Sequence, residues 1–494
     1  MTRGSLVLFV VLLAGCSGTA GPLDGGAGGG ANGGGAGGGS GGDAGGGLGG
    51  GVGGGGATGG GGGATGGSGG GTGGGTGGGG AAGGLPQPFD VGVTYSRELY
   101  VSPAGSDSND GSMGAPLATI RAGLMRATPG TRVNVLAGTY AGGGSFANLA
   151  GQPGAPIALS GRPGAIIDGA GSSMALALSD ARYVVLEGLT IRNTVPHGMN
   201  IDDVGAGAAE HLVFRNLSFS AVGNGGNNDC LKLSGIDHFF VLGSEFSQCN
   251  QGEAIDMVGC HDGVIAGGFF HDIVVNGVQT KGGSADVLIH GNRFVDVAQR
   301  AINAGGSTGA QFFRPLTATH EAARIRVIAN TFLRTGSTPV AFVGCDACVV
   351  AHNTIVEPSG YVARILEENT TVGPGSAGVF INNVVVFNRA QVNASFLNVG
   401  PSTQPGTFTF GSNLWFALDT PGFTGPTWTS TGVPAETNSV VQDPLLLNRA
   451  GGDYHLGGGS PALGRGRAVP GAPTVDFDGR AWASPPALGA FEGP

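Results

Sequence analysis

VLIHGNRF (residues 287–294) reads as an apolar alternation, a Gly-Asn turn and one more large apolar residue. The same phrase recurs as VVLEGLTI (184–191), LVFRNLSF (212–219), FFVLGSEF (239–246), VIAGGFF (264–270), RVIANTF (326–332), VVAHNTI (349–355), FINNVVV (380–386) and FTFGSNLW (408–415). Its closing residues are Ile191, Phe219, Phe246, Phe270, Phe294, Phe332, Ile355, Val386 and Trp415. They stand 23–31 residues apart, with one gap of 38. Strands of alternating polarity repeated at such a period are the signature of a solenoid. No strong helical pattern interrupts the run. The repeat predicts an all-β fold, a right-handed parallel β-helix of about ten coils.

Upstream of the repeat the chain changes character. A basic start (Arg3), an apolar stretch from Leu6 to Leu13 and small residues to Cys16 make a secretory signal. Leu13-Ala14-Gly15-Cys16 resembles the bacterial lipoprotein box, over residues 1–16. That resemblance implies cleavage before Cys16 and lipid attachment to its sulfur. Ser17 follows, which implies the outer membrane or cell surface in a Gram-negative bacterium; ordinary secretion is the alternative. Residues 17–94 are expected to be a tether, since 25–84 contain 42 glycines among 60 residues. Such a segment cannot bury apolar surface, and as a flexible coil it would span about 40–45 Å.

Only 11% of residues are charged and the net charge is −10. The sequence has no basic cluster, which argues against a nucleic-acid partner. Cys230, Cys249, Cys260, Cys345 and Cys348 read as structural cysteines or a local disulfide, because no metal-ligand spacing accompanies Cys345 and Cys348.

The expected body runs from 95 to 419. Ile120, Leu124 and Ala127 fall on one helical face before Thr128-Pro129-Gly130, and such a helix would cap the open apolar end of a solenoid. The opening, YVSPAGSDSNDG (100–111) through PLATIRAGL (116–124) to GTY (138–140), resembles that of many bacterial right-handed β-helix proteins. These include the chondroitinase B/alginate lyase group and a group of pectate lyases. Asp443-Pro444-Leu445, Asp453-Tyr454-His455-Leu456 and Leu488 to Glu492 resemble the ending of such surface proteins, so 420–494 is expected to be a loop-rich C-terminal cap.

Four second strands align by their apolar residues. Leu231, Ile255, Val278 and Ile302 form one inward column, and Leu233, Met257, Thr280 and Ala304 the next. Alternation then sends Lys232, Asp256, Gln279 and Asn303 outward, with Lys281 two positions beyond Gln279. Asp229, Glu253, Asn276 and Arg300 stand at the strand entrances. The oversized coil 294–332 follows, carrying Phe312, Phe313 and Arg314. A solvated face with a Lys232–Asp256 ion pair is one reading of this patch. A groove for an anionic sugar chain is the other.

The chemistry suited to such a groove is β-elimination of a uronic-acid polymer, which needs a base, a cation to neutralise the carboxylate and a proton source. The chondroitinase B/alginate lyase group uses a Lys base and an Arg acid about one coil apart. That resemblance implies Lys281 as base and Arg300 as acid or carboxylate clamp. The group's Arg-His-Gly is absent, and its two calcium-binding glutamates before the Lys have no match. Asp229, Glu253 and Asp256 are the candidate calcium ligands. Lys232, Gln279, Asn303 and Arg314 are candidate substrate contacts. A glycoside hydrolase using a carboxylate pair, a uronate epimerase and a non-catalytic carbohydrate-binding or adhesin-like protein are the alternatives. A lowered Lys281 pKa would favour the enzyme; a Lys232–Asp256 pair with Lys281 in open solvent would favour the binder. The expected state is a monomer. Asn216, Asn292, Asn330, Asn353, Asn383 and Asn413 recur at the turn and are expected to form an internal hydrogen-bonded ladder.

Overall fold

The computed structural model describes residues 84–204, 209–224, 228–427 and 432–493. The signal, Cys16 and the glycine-rich segment to residue 83 lie outside them. The described chain winds into a right-handed parallel β-helix with two 12-stranded sheets and one 10-stranded sheet, each strand pairing with its equivalent one coil later.

Two side-chain devices lock the coils in step. Closing aromatics stack face to face: Phe219, Phe246, Phe270, Phe294 and Phe332 lie with successive ring centroids 5.0, 4.9, 4.6 and 5.0 Å apart. At the turn, the asparagine ladder runs from Asn292 through Asn330, Asn353 and Asn383 to Asn413. Each Nδ2 donates to the next Oδ1 at 3.0–3.1 Å. The backbone N–H of each of the first four donates to the same oxygen at 2.8–3.0 Å. Polar groups that a buried turn would otherwise orphan are thereby paired.

Register corrects two expectations. Asn216 is exposed and takes no part in the ladder; Leu217 occupies the equivalent of Ser244 and Asn292 in its coil. Asn216 instead supplies the left-handed turn residue (φ 51°) that Gly243, Gly267 and Gly291 supply in the following coils. The closing residue of the 380–386 repeat is Val385, which pairs with Ile355 and Trp415. Val386 faces out and packs with Leu414, Leu456 and Leu488.

A short helix, Ile120–Met125, is capped by Thr119, which accepts from the Ala122 N–H at 3.0 Å. Gly123 lets it lie close on the first two strands: a Cβ there would sit 2.7 Å from Val133 and 3.0 Å from Val101. Packing begins before residue 95. Leu85, Phe89 and Tyr95 lie on the outer apolar face of one long sheet, and Arg215 grips Asp90 with two bonds of 2.8 and 2.9 Å. After Ala417 the chain forms a hairpin, Leu446–Asn448 with Asp453–Leu456, then runs back along the outside of the coils. His290 donates to Val475 O, His352 to Ala487 O, and Ala490 N to Thr354 Oγ1. Cys230–Cys249 and Cys345–Cys348 are disulfides and Cys260 is a buried thiol, in line with structural roles.

Replacing Asn353 by Ala leaves Asn330 Nδ2 without one of its acceptors and the Asn330 N–H without its partner. We expect a loss of about 2–4 kcal/mol in urea unfolding, against under about 0.5 kcal/mol for Asn216→Ala.

Candidate active site

The 10-stranded sheet carries the polar column. Leu231–Ser234, Ile255–Val258, Val278–Lys281 and Arg300–Gly305 pair in parallel, with Leu231, Ile255, Val278 and Ile302 in one fully buried row. The neighbouring row is Ala177, Asn200, Lys232, Asp256, Gln279, Asn303 and Ala341. The structure therefore brings together the predicted site residues on adjacent coils, in the expected register.

Facing outward does not expose them. Asp229 and Asp256 are 0% exposed, Lys281 4% and Lys232 8%. The cover is the extra chain of the oversized coil. It departs at Gly305, whose φ of +109° and close approach to Val343 O, 1.6 Å from where a Cβ would be, admit no side chain. Gly306 then lies directly over Lys281: a Cβ there would stand 3.3 Å from Lys281 Cβ and Cδ.

Two residues fasten this cover. Glu321, fully buried, accepts from Gly282 N (2.9 Å), Thr308 N (2.7 Å), Thr308 Oγ1 (2.8 Å) and Asn369 Nδ2 (2.5 Å). It ties both ends of the extra segment to the turn after Lys281. Arg314 forms a bidentate pair with Asp237, 2.6 Å on each arm, and a 3.1 Å bond to Gly259 O. Arg314, expected as a substrate contact, has its guanidinium paired with Asp237. Burial would raise the Asp237 pKa, but hydrogen bonds from Arg314 and His261 hold it well below the carboxylate range.

Within the column a continuous network runs across the coils. Lys232 Nζ bonds Asp256 Oδ2 and lies 3.7 Å from Asp229 Oδ2; Lys281 Nζ lies 3.3 Å from Asp256 Oδ1. Gln279 donates to Asp256 Oδ1 at 3.4 Å, and its own Oε1 accepts from Asn276 (3.1 Å) and Asn303 (2.9 Å). Asn276 Nδ2 also reaches Glu253 Oε1 at 3.0 Å. Arg300 donates to Asn303 Oδ1 at 2.9 Å and to Glu368 Oε1 at 2.6 Å. Glu321, Glu368 and Asn369 were not singled out in the sequence, where no repeat or motif marks them.

Burial pulls these groups apart electrically. It would raise Asp256, yet the Lys232 and Lys281 charges outweigh it and hold Asp256 at about 2. For Glu253 burial acts with the nearby Asp229 and Asp256 charges, and its carboxyl is raised well above the usual range. Burial would lower Lys281, as would repulsion from Lys232, but the Asp256 charge together with those of Glu253 and Asp229 outweighs both, so Lys281 is raised. Of the two signs named for enzyme or binder, neither is met: the Lys281 pKa is raised and Lys281 is not in open solvent. The Lys232–Asp256 pair forms, inside a closed network.

The three carboxylates of Asp229, Glu253 and Asp256 offer oxygens within 4.8 Å of one another, close enough to hold an ion. Their charge is already answered, however. Asp229 and Asp256 face the ammonium groups of Lys232 and Lys281, Lys232 Nζ sits among the oxygens, and the Glu253 carboxyl is raised by its acidic neighbours. The donor set fits a hard cation by geometry and not by charge in this arrangement.

No family model matches the sequence, and no curated protein does. Among solved structures, pectate lyase Pel9A superposes with a TM-score of 0.53 and 16% identity, covering 82% of this chain and 98% of that one. A rhamnogalacturonan lyase gives 0.48 and 14%, over 64% of this chain and 87% of that one. An alginate lyase from Paenibacillus sp. str. FPU-7 gives 0.35 and 15%, over 57% and 97%. The chain shares the β-helix fold of the pectate lyase. At such identity the likeness speaks for the fold, and the column above must carry any chemistry.

Arg314→Ala should release one fastening of the cover. Limited proteolysis should then cut within 305–321 several-fold faster than in the parent, while the coils stay resistant. Asp256→Ala leaves two ammonium groups buried without their shared partner and should cost about 3–5 kcal/mol in thermal or urea unfolding.

Proposed function

We propose that the protein cleaves a uronic-acid-containing polysaccharide by β-elimination at the polar column. The observation that carries this reading is a buried cluster of three acids and two lysines on a solenoid that does not need it. Ala177 and Ala341 fill the same row on the same sheet, so strand pairing there does not require a charged side chain. Desolvated ion pairs give little net stability, and groups pushed apart in pKa are what reaction centres contain.

On this reading Lys281 removes the proton beside the uronate carboxylate, and Arg300 clamps that carboxylate or protonates the leaving oxygen. Gln279, Asn303 and Lys232 orient the sugar once the segment after Gly305 has lifted. Calcium was the cofactor expected for Asp229, Glu253 and Asp256; the lysines among their oxygens already supply the positive charge it would bring. The lipid expected on Cys16 and the glycine-rich tether after it would hold a monomeric body at the cell surface or outer membrane, where such polymers are met.

A test follows the ultraviolet absorbance of the new double bond with the full-length protein on alginate, pectate, chondroitin and heparin-type polymers. We expect one polymer to give a rise that falls at least about 100-fold in Lys281→Ala. A flat trace with retention on a polymer column would leave a binding protein. The pH profile adds a sign. Lys281 is raised, so its free-base fraction at neutral pH is small and the rate should climb with pH on the alkaline side. Asp256→Asn removes the charge that raises Lys281, so the limb should move to lower pH. A limb that moves up, or stays, would remove Lys281 as base.

One observation favours a second reading. Glu253 is raised while neighbouring Asp256 is held at about 2, the split of an acid and a carboxylate in glycoside hydrolysis. New reducing ends without ultraviolet absorbance, lost in Glu253→Gln, would select it.

A further inference from the structure

We infer that Lys232 is the resident cation of the Asp229–Glu253–Asp256 triad, holding the position that a hard metal ion would otherwise take. Three buried carboxyl groups within 4.8 Å require compensation, since unpaired charges at that depth are costly. Strand register supplies it. Lys232 stands directly opposite Asp256 in the next coil and three residues after Asp229 in its own. Its Nζ bonds Asp256 Oδ2 and lies 3.7 Å from Asp229 Oδ2. Lys281 meets the other Asp256 oxygen at 3.3 Å.

A second observation marks the place as a cation position. Asp229 Oδ2 is fully buried and accepts no hydrogen bond, although Oδ1 of the same carboxyl accepts from Glu253 N at 3.0 Å. His197 Nδ1, 3.5 Å away, is occupied in accepting from Asp229 N. That oxygen faces the Lys232 ammonium, with the Glu253 carboxyl bonded to the same Asp229 side chain. An ammonium offers one charge and three donors, whereas calcium requires six to eight oxygens at about 2.3–2.6 Å. Removing the ammonium while keeping the side-chain volume converts the same oxygens into a hard-cation site. The inference concerns what fills the triad and stands whichever reaction the column performs.

The experiment uses full-length protein stripped with chelator. Calcium and terbium are titrated by calorimetry, and melting temperature is read in chelator and in calcium. The parent should take up no cation at this site and melt at the same temperature in both. Lys232→Gln should bind about one calcium per chain and melt several degrees higher in calcium, and adding Asp229→Asn should abolish that uptake. The inference is overturned if the parent binds a cation that Asp229→Asn removes, because the metal then displaces Lys232. It is equally overturned if folded Lys232→Gln binds nothing. Should that variant fail to fold with or without calcium, the parent titration decides alone: no uptake sustains the inference, and uptake lost in Asp229→Asn ends it.

Discussion

Strand-to-strand register is the constraint on which the rest of the molecule depends. A slip of one residue in any coil would turn its interior row to solvent and its polar row inward. The asparagine ladder and the phenylalanine stack oppose that slip from inside the coil, one through directed hydrogen bonds and the other through shape. They overlap between Asn292 and Phe332, where the chain inserts its extra segment. Asn292 still reaches Asn330 and Phe294 still stacks on Phe332 across the 38-residue gap. The insertion is thus extruded outward without disturbing the stack, and the direction it takes is over the polar column.

Covering the column changes its chemistry. On an open face, Lys232, Asp256 and Lys281 would be screened ion pairs of small consequence. Buried as they are, with Gly306 over Lys281, each charge sets the ionisation of the next. The same acids are therefore pushed in opposite directions: the two ammonium groups lower Asp256, while burial and two neighbouring acids raise Glu253. Charge is balanced within the protein, which is why the cluster can exist in a solenoid with so few charges.

Much of this was legible in the sequence because a parallel β-helix repeats its geometry. Alternation within a strand and pairing between coils are both local rules, so Leu231, Ile255, Val278 and Ile302 align by inspection, and Lys232, Asp256, Gln279 and Asn303 follow. Where the local signal was degenerate the reading slipped. Three consecutive valines at 384–386 carry no parity, and only Asn383 beneath Asn353 selects Val385 as the interior residue. Asn216 resembles a ladder residue in type, but stands one position early, at the left-handed turn.

The sequence by itself determined the solenoid and the set of side chains on the polar face, because those depend on period and parity alone. Tertiary structure decided that the face is buried, that Arg314 serves Asp237, that Glu321 and Asn369 close the cover, and that the Lys281 pKa is raised. Each of these depends on where a non-repeating loop lands. A loop obeys no period, so its contacts, and the desolvation they impose, exist only once the chain has folded.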